Sequence, residues 1–246
     1  RQIVEHVGVA QGLAVLVFTA EMTTKSVTKR MVFSRAKFAL SDLSRGYTPT
    51  HGDLKRIQRA SLEIAKAPIY FDDTSGPTIN YIRAKARRMK REHGIQLIAI
   101  DYLGLIKSVS KQSQFSRERE IAEITAGCKG MAKDLGVPVI LLAQLNRDVE
   151  KRAGKGEKSA KPRMSDLKDS GSIEADSDVI GLLYRDAYQS SGEEGTDDTG
   201  SAQLDLAKNR NGATGPIPLT FIADLMRFES GAPYRGQEPP QTDYHQ

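Results

Sequence analysis

At 246 residues the chain is long enough for one large α/β domain or two small ones, and its 39% hydrophobic and 27% charged residues are ordinary for a soluble globular protein. No window approaches the roughly 20 apolar residues of a membrane span, and the single Cys128 excludes an internal disulfide, points to a reducing cytoplasm and, with only four histidines, argues against a zinc site. A net charge of +5 mildly favours an anionic partner, but the absence of Trp speaks against a base-stacking platform, so any grip on nucleic acid falls mainly on phosphates.

Residues 1–12 carry an amphipathic helix pattern that includes Glu5 and His6, not a secretion signal. The run 13–20 (LAVLVFTA) is too densely apolar for a half-exposed strand and reads as one buried on both faces. Two helices, over 23–46 and 53–67, precede a short strand at 69–71. In the next helix Ile79, Ile82, Ala86 and Met89 share one face. Arg83, Lys85, Arg87, Arg88, Lys90 and Arg91 surround that stripe and read as a solvated face. The runs 96–100 (QLIAI), 137–143 (VPVILLA) and 179–184 (VIGLLY) predict further strands buried on both faces. Between the first two lies a helix with Ile121, Ile124, Cys128, Met131, Ala132 and Leu135 in one stripe, Ser116 as its N-cap and Gly136 at its end. This alternation implies a mostly parallel sheet wrapped by helices. After Tyr184 the segments 203–208 and 217–222 read as strands joined by a hairpin turn, 209–215 (NRNGATG). Lys/Gly-rich 151–161, acidic 189–200 and Pro/Gly-containing 229–246 predict mobile stretches. No internal repeat is present, and one domain is the better reading.

Three of the apolar runs end on polar groups able to do chemistry: 13–20 runs into Glu21, 96–100 into Asp101 and 137–143 into Gln144. In a parallel sheet the carboxyl ends lie along one edge, where open α/β sheets bind ligands. Glu21 taken alone reads first as a helix-entry charge, with Thr23 capping the helix after it. Two acids and an amide at three successive strand ends point to one shared site, and the residue types suit phosphoryl transfer to water. One carboxylate can hold Mg²⁺ through its water shell, a second can activate the attacking water, and an amide can sense a γ-phosphate. Such a site also needs a glycine-rich loop, GxxxxGK followed by Ser or Thr, and that pattern occurs nowhere in the sequence.

Five segments, 18–22 (FTAEM), 100–106 (IDYLGLI), 142–147 (LAQLNR), 165–178 (SDLKDSGSIEADSD) and 207–215 (AKNRNGATG), resemble in type and order those of the DnaB-type replicative helicases. The stretch 82–106 is similar to that family's Walker-B region almost throughout. The resemblance spans residues 1–229 and implies a RecA-like ATPase domain there, of the P-loop class, followed by a flexible tail at 230–246. It further implies a hexameric ring around single-stranded DNA, with ATP and Mg²⁺ between neighbouring subunits, and a helicase loader and primase as partners. By position Glu21 resembles the family's catalytic glutamate, Asp101 its Mg²⁺-holding aspartate and Gln144 its γ-phosphate sensor. Lys208 and Arg210 resemble the pair that reaches into the neighbour's site, the arginine as a finger. Lys168, Asp169 and Gly171 occupy the place of one DNA-binding loop, and 107–117, with Lys107, Lys111 and Arg117, that of another. Asp169 is acidic, so only the resemblance supports it.

The family's phosphate-binding loop and the strand before it belong immediately upstream of Arg1, and its N-terminal collar domain upstream of that. The expectation is therefore an incomplete motor domain, inactive alone. The alternatives are a non-catalytic, DNA-binding ring subunit or, within the same fold class, a RecA-type recombinase ATPase.

Overall fold

A computed structural model describes residues 1–108, 116–146, 161–167, 170–185 and 199–231. Most of each expected mobile stretch lies outside these residues.

Strand β1 (Val15–Thr19) is buried at all five positions. It lies between β2 (Ile69–Asp72) and β3 (Leu97–Asp101), and β4 (Val139–Leu141) pairs with β3, giving the order β2-β1-β3-β4. All three pairings are parallel, with Val15 opposite both Ile69 and Leu97, and Ile98 opposite Val139. Successive side chains of a strand face opposite ways. Accordingly Leu16, Phe18, Ile98 and Ile100 enter one apolar cluster, whereas Val15, Val17 and Leu97 enter another. Covering both faces is what demands the uninterrupted apolar runs.

The first cluster is closed by α5 (Ile79–His93) and α6 (Arg117–Leu135), through Ile79, Ile82, Ala86 and Met89 on one and Ile121, Ile124, Cys128 and Met131 on the other. Each fully buried side chain of this size contributes roughly 1.5–3 kcal/mol of transfer free energy. Gly136 ends α6 in the left-handed conformation with φ 60°, as its sequence position predicts. Ser116 occupies the N-cap position but makes no side-chain cap bond. The second cluster is closed by the helical turn α1 (Gln2–Glu5), which runs on as a π-helical turn (His6–Ala10), and by α2 (Thr24–Arg35) and α4 (His51–Lys66).

The single helix expected over 23–46 is two, because α2 ends at Arg35 and α3 (Leu40–Ser44) starts afresh. Between them Lys37 takes a left-handed conformation (φ 51°) and turns the chain so that Phe38 packs against Phe33 and Ala60. Burial of that ring overrides the helical pattern.

The remaining strands form a second, wholly antiparallel sheet, β5-β6-β7-β8: β5 (Val179–Arg185), β6 (Thr199–Asn209), β7 (Gly215–Ile222) and β8 (Arg227–Ser230). The expected hairpin is β6–β7, with Leu206 opposite Gly215. Two expectations are corrected. β5 is neither parallel nor buried on both faces; exposed and buried positions alternate from Val179 to Leu183. β4 is half-buried along its length, because among the described residues it ends the parallel sheet. The helix α7 (Ser170–Asp176) precedes β5, and Ile173, Ile180 and Leu182 join the cluster that holds Leu16, so one core spans both sheets.

Candidate active site

Parallel pairing brings the carboxyl ends of β1, β3 and β4 to one rim in adjacent strands. Thr19 lies opposite Asp101 and Ile100 opposite Leu141, with neighbouring strands spaced about 4.8 Å apart. Past β1 the chain turns through Glu21, which is exposed. That turn is fixed at both ends. The buried Thr19 hydroxyl donates to the Met22 carbonyl at 2.7 Å, and Thr23 caps α2 by accepting from the Ser26 N–H at 3.3 Å. Asp101 is the last residue of β3, and its carbonyl accepts from the Ala20 N–H at 3.1 Å, tying the two strand ends together. Beyond β4, the Leu142 N–H donates to Ile100 and its carbonyl accepts from Leu103, carrying the β3–β4 pairing past the strands toward Gln144, which is exposed.

Two rim residues carry a signal that the sequence patterns above pass over. β2 ends in Asp72, with Asp73 next, and the Asp73 carboxylate accepts the Thr24 N–H at the start of α2 at 3.0 Å, which holds it below the usual carboxylate range. The run 69–71 ends in acids just as 13–20 ends in Glu21, so the signal is the same one in a shorter strand. Asp72 is buried and accepts from the Tyr81 hydroxyl at 2.8 Å and from Lys85 at 3.1 Å. One cation of the expected solvated face is therefore a buried acid's partner. Arg83 and Arg87 pair with Asp134, and Arg88 faces Glu92 across 3.9 Å.

Lys208 lies near the end of β6 and Arg210 just past it. Lys208 donates to the Glu174 carbonyl on α7, and Arg210 pairs with Asp178 at 3.1 Å. Neither has a described hydrogen bond or ion pair to Glu21, Asp101 or Gln144.

Of the candidate DNA-contacting residues, Lys111, Lys168 and Asp169 lie outside the described residues. Lys107 is held at its backbone by the β2–α5 connection: its N–H donates to Pro77 at 3.0 Å and its carbonyl accepts from Ile79 at 3.3 Å. Arg117 opens α6 paired with Glu120. Gly171 is exposed in the first turn of α7. The segment beyond Gln144 pairs with the one entering this region, through a Leu145–Leu167 bridge and the Asn146 N–H donating to Asp166 at 2.7 Å.

No group of three or more His, Cys, Asp or Glu side chains among the described residues forms a metal cage. A cavity of about 500 Å³ lies elsewhere, between Arg35, Arg59 and Arg227. Arg35 is paired there with Glu5 and Glu63, and Arg59 with Glu63, so much of its positive charge is neutralised. No described helix is long and apolar enough to cross a membrane.

The model of the DnaB-like helicase C-terminal domain matches residues 1–230. The replicative DNA helicase DnaC of Bacillus subtilis (strain 168) is 36% identical over 226 residues, covering 92% of this chain and 48% of that protein. The replicative DNA helicase DnaB of Geobacillus stearothermophilus is 37% identical, with the same coverage of each chain. The chain thus spans about half the length of these curated relatives. A solved DnaB-like replicative helicase, described with its primase interactions, superposes with a TM-score of 0.79 at 31% identity over 89% of this chain and 52% of its own. A second solved structure, an ATPase domain, gives 0.79 and 31% over 91% of this chain and 76% of its own. With its parallel sheet and strand-end acids in this setting, the chain belongs to the DnaB-like helicase C-terminal domain family.

Proposed function

We propose that this chain is the motor domain of a replicative DNA helicase, a ring-forming ATPase that moves on single-stranded DNA and separates the duplex ahead of it. The observation that carries the reading is the meeting of the β1, β3 and β4 ends on one rim, which sets Glu21, Asp101 and Gln144 along it. In this reading Asp101 holds Mg²⁺ through water and Glu21 takes the proton of the attacking water. Gln144 reads the γ-phosphate and, through the Leu145–Leu167 pairing, passes the nucleotide state toward the segment 168–171. Lys208 and Arg210 serve the neighbouring subunit's nucleotide. DNA phosphates are held by Lys168 and the main-chain N–H groups of Asp169 and Gly171, and by Lys107, Lys111 and Arg117. When bound, ATP with Mg²⁺ supplies the phosphoryl group and the charge on which this rim acts. The sequence supplies the water-facing and neighbour-facing groups but no GxxxxGK phosphate cradle. A primase is a candidate partner, because one similar solved helicase is described with one.

The test is DNA-stimulated ATP hydrolysis by a form that extends upstream of Arg1. Glu21→Gln is expected to lower kcat by about 10²- to 10⁴-fold with little change in nucleotide affinity, the range a general base supplies. An unchanged rate would sink the assignment of Glu21. Unwinding of a forked duplex by the unaltered form separates a helicase from a recombinase of the same fold.

A further inference from the structure

We propose that Asp178 is the positioning residue for Arg210, holding its guanidinium in reserve and yielding it to the neighbouring subunit's nucleotide. The inference rests on the reading of Arg210 as the trans-acting arginine.

Asp178 grips Arg210 twice, and the two grips differ in kind. The Arg210 backbone N–H donates to the Asp178 carbonyl at 2.8 Å, in continuation of the β5–β6 pairing that sets Val179 opposite Asn209. The Arg210 head donates to Asp178 Oδ1 at 3.1 Å, with the two side chains 51% and 52% exposed. The backbone bond fixes where Arg210 leaves the sheet. The half-exposed ion pair is weak and readily exchanged for a more highly charged partner. The head is thus releasable while its anchor stays fixed.

The mount under Asp178 is rigid. Ser177 donates to the Ile173 carbonyl at 2.6 Å, and Thr125 on α6 donates to Asp176 at 2.6 Å. Lys129, also on α6, holds the second carboxylate oxygen, so the carboxylate stays in place when Arg210 departs. Lys208 is fastened to α7 through the Glu174 carbonyl. Both candidate trans-acting cations therefore rest on α7 or the two residues after it, and the first turn of α7 carries the DNA-contact candidate Gly171. DNA dependence is accordingly the property to measure.

Hydrolysis is measured without and with single-stranded DNA in the upstream-extended form carrying Asp178→Asn, Asp178→Glu, Arg210→Ala, or Asp178→Asn with Arg210→Ala. Freeing the arginine is expected to raise the DNA-independent rate about 3- to 5-fold and leave the DNA-stimulated rate nearly unchanged, the size of effect a weak surface pair permits. The stimulation ratio falls accordingly. Asp178→Glu, which keeps the charge, retains the wild-type ratio, and the double variant behaves as Arg210→Ala. In the 246-residue chain itself, phenylglyoxal modification of Arg210, read by mass spectrometry, is faster in Asp178→Asn. An Asp178→Asn protein that loses both rates in proportion, or keeps the wild-type ratio, overturns the proposal and leaves the role of Arg210 standing. Full DNA-stimulated turnover in Arg210→Ala overturns the trans reading and the proposal with it.

Discussion

Asp72 keeps its charge with a side chain only 4% exposed, because Tyr81, Thr74 and Lys85 all donate to it. Burial alone would raise its pKa, but those bonds outweigh burial and hold it below the usual carboxylate range. A depressed folded value means that the stability Asp72 contributes is complete above the unfolded pKa of about 3.9 and is lost as pH falls through the folded one. Lys85→Met is therefore expected to cost about 1–3 kcal/mol at neutral pH, with the deficit shrinking toward pH ~3. Urea melts at the two pH values check this; a deficit independent of pH would show that Lys85 acts by packing alone. Cys128 lies at the other extreme, its thiol pushed up to about 12 by burial, so it packs the core rather than acting as a nucleophile. Glu21, Asp101 and Gln144 were legible because each follows an apolar run. Asp178 was not, because its partner lies 32 residues onward and only the β5–β6 register brings them together.

The contact between α5 and α6 shows what periodicity can and cannot tell. The stripe Ile79, Ile82, Ala86 and Met89 is buried as its spacing predicts, but nothing in the spacing reveals how near α6 comes. A Cβ built on Gly127 would stand 2.4 Å from Ile79 Cγ1, whereas one on Gly130, a turn further along, would meet nothing within 4 Å. Gly127→Val is expected to destabilise by about 1–3 kcal/mol through overpacking. Gly130→Ala is expected to stabilise by about 0.5–1 kcal/mol through helix propensity. Thermal melts of the two variants check the pair, and equal effects would mean that α5 and α6 shift freely past one another. β5 marks the limit in the other direction. Its apolar density suggested a strand covered on both faces, but density cannot say how many faces a neighbour covers, and here the antiparallel sheet leaves every second residue from Val179 to Leu183 outside.

The change of character after Tyr184 marks the antiparallel sheet one strand late, since β5 already belongs to it, and nothing in the sequence marks the contact that joins residue 2 to the last described strand. Gln2 and Phe228 are 226 positions apart, and no local pattern foretells their meeting. The Gln2 amide donates to the Phe228 carbonyl at 2.6 Å and accepts from the Phe228 N–H at 2.8 Å. A side-chain amide, with a donor and an acceptor side by side, thereby takes the place of a neighbouring strand along the edge of β8 that no other described strand covers. Arg1 adds a bond to the Met226 carbonyl at 2.5 Å. Net contributions of about 0.5–1.5 kcal/mol per hydrogen bond lead to an expected loss of about 1–2 kcal/mol for Gln2→Ala. The loss is expected to be local first: amide exchange at Phe228 accelerates several-fold, while exchange in β1 and β3, at the centre of the parallel sheet, responds only through global unfolding. If Phe228 exchanges at the same rate in both proteins, the β7–β8 ladder alone holds that edge. The helical turn at Gln2 would then lie against the second sheet without bracing it.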